Sequence, residues 1–125
     1  MKWKAPVRAA TSVADGNITL SGLQTIDGVT LVANDRVLVK NQTTQSQNGI
    51  YLASSGSWTR SLDMDSGTEA QSAAIYVDEG SINADTAWVQ TTNAPITINS
   101  TPLVFVQFAG AGTYTGDNFF LFIIR

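Results

Sequence analysis

The stretch RVLVKNQTTQSQNGIYLA, residues 36–53, contains two apolar runs on either side of a polar tract. Both runs are short and rich in Val, Ile, Leu and Tyr, which is typical of β-strands. Asn48-Gly49 closes the tract and is a turn signal. We therefore predict that residues 36–40 pair antiparallel with residues 49–53. The polar residues between them form a long hairpin loop, whose amides and hydroxyls can satisfy its backbone groups without burial.

The rest of the chain repeats this pattern of short β-rich runs separated by Gly, Asn, Asp and Pro. Turn signals every 8–12 residues or so favour a sandwich or barrel. We predict further strands at residues 17–20, 29–32, 57–60, 73–78, 87–92, 96–98, 103–108 and 119–124. In the segment 57–60, which returns from the strand at 49–53, Trp58 is predicted to be a core residue, as is Trp88.

One segment, residues 62–74, lacks strand alternation. There Ser66 and Glu69 fit a capping box, in which each side chain satisfies a free N–H at a helix start. The predicted fold is therefore all-β: a small antiparallel β-sandwich or barrel with one short helical turn. We divide the chain into an N-terminal arm (1–10), a β domain (11–110), and a C-terminal connector with an apolar strand (111–125).

Composition limits the chemistry that this chain can perform. Its 125 residues are the size of one domain, and 43% are hydrophobic, enough for a core of its own. There is no Cys and no His, which excludes disulfides, thiolate chemistry and a Ser-His-Asp triad. Asp63, Asp65 and Glu69 lack the spacing of a calcium loop and are expected to be caps and solvated turn residues. We predict no catalytic residue, no metal ligand and no cofactor.

Charge and hydropathy bear on three properties of the chain: binding to nucleic acid, secretion and insertion into a membrane. The net charge is −3, and the one basic cluster, Lys2, Lys4 and Arg8, is too small to predict binding to nucleic acid. No apolar segment of signal-peptide length follows the N-terminus. The longest apolar run, residues 119–124, is far shorter than the roughly 20 residues that span a membrane. We expect synthesis in a cytoplasm and no membrane insertion.

Two apolar features suggest contacts with another chain. Trp3 lies between two lysines near the terminus, where it either docks on a neighbouring chain or caps the core. The C-terminal run is apolar on both strand faces, so it is either a subunit interface or an ordinary central strand. If the first reading holds, the interface anchors are Trp3, Phe119, Phe120, Leu121, Phe122 and Ile123.

A series of short motifs, in order, resembles a module of phage tail fibres, tailspikes and other virion appendage proteins. The series covers roughly residues 7–112 and comprises residues 25–29, 35–42, 48–51, 58–60, 79–80, 83–88 and 105–108. The resemblance implies a small β domain near the particle-attached end of a homotrimeric fibre, without catalytic residues. Little sequence is left beyond the module for a depolymerase domain, so we expect a short appendage, adaptor or decoration protein.

The resemblance implies the partners as well. They are further copies of the chain, as a homotrimer, and other proteins of the virion. The alternative interpretation is a carbohydrate-binding module that recognises a host surface glycan. Exposed aromatic rings that stack on sugars, together with amide hydrogen bonds, would carry that activity. Its candidate contacts are Tyr51, Tyr76, Trp88 and Asn48.

Overall fold

The computed structural model describes residues 1–110, and within that range the chain is mostly β. One short α-helix, α1 (Gly67–Ala70), and two 3₁₀ helices, Gln45–Gln47 and Leu62–Met64, interrupt the strands. The ten strands are β1 (Lys2–Trp3), β2 (Ala9–Ala10), β3 (Thr25–Ile26), β4 (Val29–Thr30), β5 (Arg36–Val39), β6 (Gly49–Leu52), β7 (Thr59–Arg60), β8 (Ala73–Val77), β9 (Thr86–Gln90) and β10 (Phe105–Gly110).

The strands form two four-stranded sheets and one small hairpin. Sheet A has the order β1-β8-β9-β10, sheet B has the order β2-β5-β6-β7, and β3 pairs only with β4. The first ten residues contribute one strand to each sheet. β1 runs parallel to β8, and β2 runs parallel to β5.

The prediction of an antiparallel sandwich or barrel is therefore wrong in strand direction, because the sheets are mixed. Of its two alternatives the barrel is excluded for residues 1–110, whose strands do not close into one. Strands joined by a tight turn must be antiparallel, whereas strands far apart in the chain can pair in either direction. The two parallel pairs join the N-terminus to strands much later in the sequence. Apolar alternation says nothing about their direction.

Sheet B is buried on both faces because each face packs on a different apolar cluster. Leu38 and Ile50 point toward sheet A, where they join Ile75 and Val77 in the core between the sheets. Val37, Val39 and Tyr51 point the other way, toward the β3–β4 hairpin, and pack there with Ile26, Val29, Leu31 and Trp58. The continuous apolar run in β5 is what a strand with both faces covered requires.

The predicted hairpin around the polar tract is confirmed. Val39 pairs with Gly49 and Arg36 with Leu52, in antiparallel register. The following hairpin, with Tyr51 opposite Arg60, is confirmed as well. One half of the predicted capping box is present: Ser66 Oγ accepts a hydrogen bond from Glu69 N at 3.2 Å and starts α1. The Glu69 carboxylate accepts from Asp65 N at 3.3 Å instead of from Ser66 N.

Two predicted strands are absent from the structure. Residues 17–20 and 96–98 are irregular, and a backbone N–H group in each bonds to a side chain. Ile18 N donates to Gln42 Oε1 at 2.9 Å, and Thr97 N donates to Thr101 Oγ1 at 2.9 Å. Side-chain acceptors of this kind replace a sheet partner. The predicted strand at 119–124 lies outside the described residues.

Arg60 is one of the residues that hold the polar loop after β5 in place. Arg60 donates from Nη1 to Asn48 O at 2.9 Å and from Nη2 to Ser46 O at 2.8 Å. Its guanidinium carbon lies 5.0 Å from the centroid of the Tyr51 ring. The loop is thus fastened to the sheet at its closing end.

Arg60→Met is expected to lower the free energy of unfolding by about 2 kcal/mol, because two loop carbonyls lose charge-assisted hydrogen bonds. Urea denaturation followed by circular dichroism measures the change. Arg60→Lys keeps the charge but not the forked geometry, and is expected to recover less than half of the loss. A stability of Arg60→Met equal to that of the wild type would show that the loop does not depend on this side chain.

Candidate functional site

A groove of about 300 Å³ opens between the two sheets at one edge of the molecule. Three of the lining segments lie next to the end of a strand in the sequence. Residues 12–14 follow β2, Lys40 follows β5, and residues 82–83 precede β9. Trp88 projects from β9 and Gln107 from β10. The full lining is Ser12, Val13, Ala14, Lys40, Ile82, Asn83, Thr86, Trp88 and Gln107.

Lys40 and Trp88 form the centre of the groove. The Lys40 ammonium lies 4.0 Å from the centroid of the Trp88 ring, a cation–π contact. Its other contact is a long hydrogen bond to Asn41 Oδ1 at 3.4 Å. Burial lowers the pKa of Lys40 to about 8, although the nearby carboxylates of Asp27 and Asp15 favour the charged form. At neutral pH the groove therefore holds a positive charge that is partly stripped of water.

A chain of hydrogen bonds fixes the Trp88 ring to the rest of the groove. Trp88 Nε1 donates to Thr86 Oγ1 at 2.8 Å, and Thr86 Oγ1 donates to the Asn83 carbonyl at 2.6 Å. Asn83 Nδ2 in turn donates to the carbonyls of Ala10 and Thr11, at 3.1 and 3.0 Å. The network therefore joins sheet A to sheet B beneath the groove, and the rotamer of Trp88 is set before any ligand arrives.

The carboxylate of Asp27 positions the loop that forms one wall of the groove. It accepts hydrogen bonds from the backbone N–H of Asn83 at 2.9 Å and of Ile82 at 3.2 Å. The Asp27 backbone N–H donates to Asp15 Oδ2 at 3.0 Å. Asp15 Oδ2 also accepts from Ser12 N at 2.9 Å. The carboxylates of Asp15 and Asp27 thus accept hydrogen bonds from backbone N–H groups on opposite sides of the groove.

The four candidate glycan contacts are not brought together. Asn48 is buried and donates to the Leu103 carbonyl. Tyr51 is also buried, and its hydroxyl donates to the Gln47 carbonyl.

The other two candidates, Tyr76 and Trp88, lie on neighbouring strands. Tyr76 is opposite Ala87, and its neighbour Ile75 is opposite Trp88. Adjacent strand residues face opposite sides, so Tyr76 and Trp88 point away from each other. Only Trp88 lines the groove.

Sequence reasoning did not single out Lys40. The strand pattern predicts Lys40 as the last residue of a strand, and no local pattern places it over a tryptophan that lies much later in the chain. Its polar neighbours in the groove, Asn83 and Gln107, belong to the module motifs, which predict no role for them. Trp58, predicted to be a core residue, is buried as expected.

A second feature is the outward side of sheet A, which we call the outer face. Cross-strand register places Trp3, Ala74, Val89 and Val106 in one row across the sheet, and none of them is charged. Trp3 is 59% exposed and Val106 is 47% exposed. The Phe108 ring lies 5.9 Å from that of Trp3. The other predicted interface residues, 119–123, lie outside the described residues.

Comparison of the chain with family models, with curated proteins and with solved structures gave no match. Within residues 1–110, no three His, Cys, Asp or Glu side chains are grouped so that they could hold a metal ion. No helix in that range is long and apolar enough to cross a membrane.

Proposed function

We propose that the chain is a non-enzymatic structural protein of a phage virion. In this proposal it is a fibre- or spike-type, decoration or adaptor subunit that assembles as a homotrimer and attaches to other virion proteins. It is made in the host cytoplasm and acts in the particle, and its two packed sheets form a β-sandwich. The observation that carries the proposal is the outer face of sheet A, whose central row is apolar and uncharged and exposes Trp3 and Val106 at its two ends.

The composition of the outer face favours a second copy of the chain as its occupant. Exposed apolar patches on a folded domain mark contact surfaces, and large aromatic side chains such as Trp3 dominate the energetics of such contacts. A charged partner would gain nothing from the row of Trp3, Val89 and Val106. Around a three-fold axis the same surfaces of the two other copies offer matching apolar area with no opposed charge.

The free edge of sheet A supports the same occupant. Among the described residues, β10 pairs with β9 on one side only, and it is six residues long. An open strand edge beside an apolar face invites pairing with another strand. A second copy can supply both the strand and the apolar cover, so the edge and the face would be buried together.

The charged groups of the described residues support a structural role. Arg8 contacts Asp35 at 2.7 Å and Glu79 at 3.3 Å, and Arg36 contacts Asp63 at 2.9 Å. These pairs fasten the N-terminal residues and β5 to neighbouring loops. None of them offers a carboxylate dyad or a nucleophile with an adjacent base.

Val106→Glu is expected to dissociate the oligomer, because it places a charge at the free-edge end of the apolar row. The association constant should fall at least tenfold, about 1.4 kcal/mol or more. Sedimentation equilibrium and mass photometry measure the change. Leu62→Glu is the matched control, since Leu62 is an exposed apolar residue on a 3₁₀ helix outside sheet A. A wild-type chain that stays monomeric at high micromolar concentration would overturn the proposed assembly.

Attachment to the particle has its own test. Purified virions that carry this chain are expected to contain it in a fixed ratio to one other structural protein, in multiples of three. Cross-linking with mass spectrometry on those particles identifies that protein. A chain that is abundant in infected cells and missing from purified virions would overturn the virion assignment even if the chain is trimeric.

A further inference from the structure

We propose that the groove binds a sugar that bears a carboxylate, of the uronic acid type, with Lys40 as the cationic contact. The site is separate from the outer face, because Trp88 and Tyr76 lie on opposite faces of sheet A. The inference therefore does not depend on the proposed assembly. Four observations carry it: an ammonium without an ion pair, an amide oxygen without a donor, a weakly engaged amide donor and two apolar walls.

The Lys40 ammonium is available to an anion. The ion pairs within residues 1–110 join Arg8 to Asp35 and Glu79, and Arg36 to Asp63; none involves Lys40. Asp15 and Asp27 lie near enough to attract it, but Asp15 Oδ2 and both carboxylate oxygens of Asp27 already accept backbone N–H groups. A partly buried cation without a paired anion gains most from a ligand that brings a carboxylate.

Asn83 supplies an acceptor at the wall of the groove. The residue is only 2% exposed, and its Nδ2 is fully engaged by the carbonyls of Ala10 and Thr11. Its Oδ1 receives no hydrogen bond from the described residues, yet it is not sealed from solvent. An oriented acceptor of this kind suits a hydroxyl group.

Gln107 supplies a donor on the opposite side. Its Nε2 makes a single long hydrogen bond, 3.4 Å to the Ala109 carbonyl, which a better acceptor can replace. Thr86, by contrast, already accepts from Trp88 and donates to Asn83. The groove therefore offers a cation, one acceptor and one amide donor, spread around its lining.

Apolar walls complete the match to a sugar ring. Val13 and Ile82 are largely exposed and flank the polar groups. The volume, about 300 Å³, is at the lower end for small-molecule sites. A sugar acid has one carboxylate, several hydroxyls and C–H faces, so it can use every one of these groups. A simple aliphatic acid would leave Asn83 and Gln107 without partners.

Binding is expected to depend on pH with a sign that follows from Lys40. The ligand pairs with the ammonium form, and the pKa of free Lys40 is about 8 because of burial, opposed by Asp27 and Asp15. Affinity should be nearly constant from pH 6 to 7. Above the pKa it should fall about tenfold per pH unit, because the proton must be regained on binding. A uronate stays ionised throughout this range.

The test uses D-glucuronate as the probe and two-dimensional ¹H–¹⁵N NMR, in which the Trp88 indole N–H reports on the groove. Glucuronate should shift that signal saturably, while D-glucose and acetate bind at least tenfold more weakly. Lys40→Met should weaken glucuronate binding at least tenfold and remove the alkaline fall. Lys4→Met makes the same change in net charge outside the groove and should leave binding unchanged.

Each contrary outcome rejects the proposal. Acetate binding as tightly as glucuronate would mean a general carboxylate site, and tighter binding of a glutamate-rich peptide would mean a protein partner. Unaltered binding by Lys40→Met would remove Lys40 from the site. If Lys40→Met does not fold, Gln107→Leu tests the donor instead: it should weaken glucuronate several-fold, and an unchanged affinity would reject the proposal. Oligomeric state, measured in parallel, should be the same for all these variants.

Discussion

Asp27→Ala is expected to lower the free energy of unfolding by about 3–5 kcal/mol. The Asp27 side chain is 6% exposed, and its carboxylate accepts the backbone N–H groups of Ile82 and Asn83. Leaving two such donors without a partner costs roughly 1–3 kcal/mol each. Asp27 also has a φ of 48°, a left-handed conformation that costs alanine about 1 kcal/mol more. Urea denaturation followed by circular dichroism measures the loss.

Two other variants separate these contributions. Asp78→Ala removes an exposed carboxylate, and among residues 1–110 no side-chain hydrogen bond to Asp78 is lost, so its effect should stay within about 0.5 kcal/mol. Asp27→Asn keeps an acceptor oxygen and tolerates positive φ, so it should lose less than half as much as Asp27→Ala. A loss of under 1 kcal/mol for Asp27→Ala would show that the loop at residues 80–83 holds its shape without the carboxylate.

Asp27 illustrates what the sequence could and could not predict. An Asp-Gly pair between short apolar runs is a turn signal, and Asp27-Gly28 does form the turn: Ile26 pairs with Val29 across it, with positive φ at both turn residues. A tight turn depends on the two residues that form it, so their identity is enough. The contact of the carboxylate with Asn83 joins segments far apart in the chain. No local spacing encodes it.

The same division holds for the sheets and the groove. The hairpin at residues 36–53 follows from local alternation, and the capped helix follows from Ser66 and Glu69. The parallel pairing of β2 with β5 does not follow from a local pattern, because parallel and antiparallel pairing would bury the same two alanines of β2. Trp88 could be named from its strand as a core residue or a sugar contact. That Lys40 lies over it depends on how the two sheets pack, which neither strand specifies alone.

Gly67→Ala is expected to be the most damaging glycine substitution in the described part of the chain. The Cβ of alanine would lie on the carbonyl oxygen of Ile96 and within 2.8 Å of its carbonyl carbon. The obstacle is backbone, so no rotamer change relieves it, and α1 or the Ile96 segment must move. Overpacking usually costs about 1–3 kcal/mol and occasionally more. We expect at least about 3 kcal/mol here, measured by urea denaturation.

The sign of that change separates packing from helix propensity. Gly67 is in α1 and has no positive φ, so on propensity alone alanine would stabilise the helix by up to about 1 kcal/mol. Gly56→Ala is the matched control, because its Cβ would meet no atom within 4 Å; its effect should be within about 0.5 kcal/mol. A stabilised Gly67→Ala would contradict the close approach of α1 to Ile96. A large loss would show that this glycine is required because the Ile96 backbone leaves no space for a side chain, since its own backbone conformation is open to any residue.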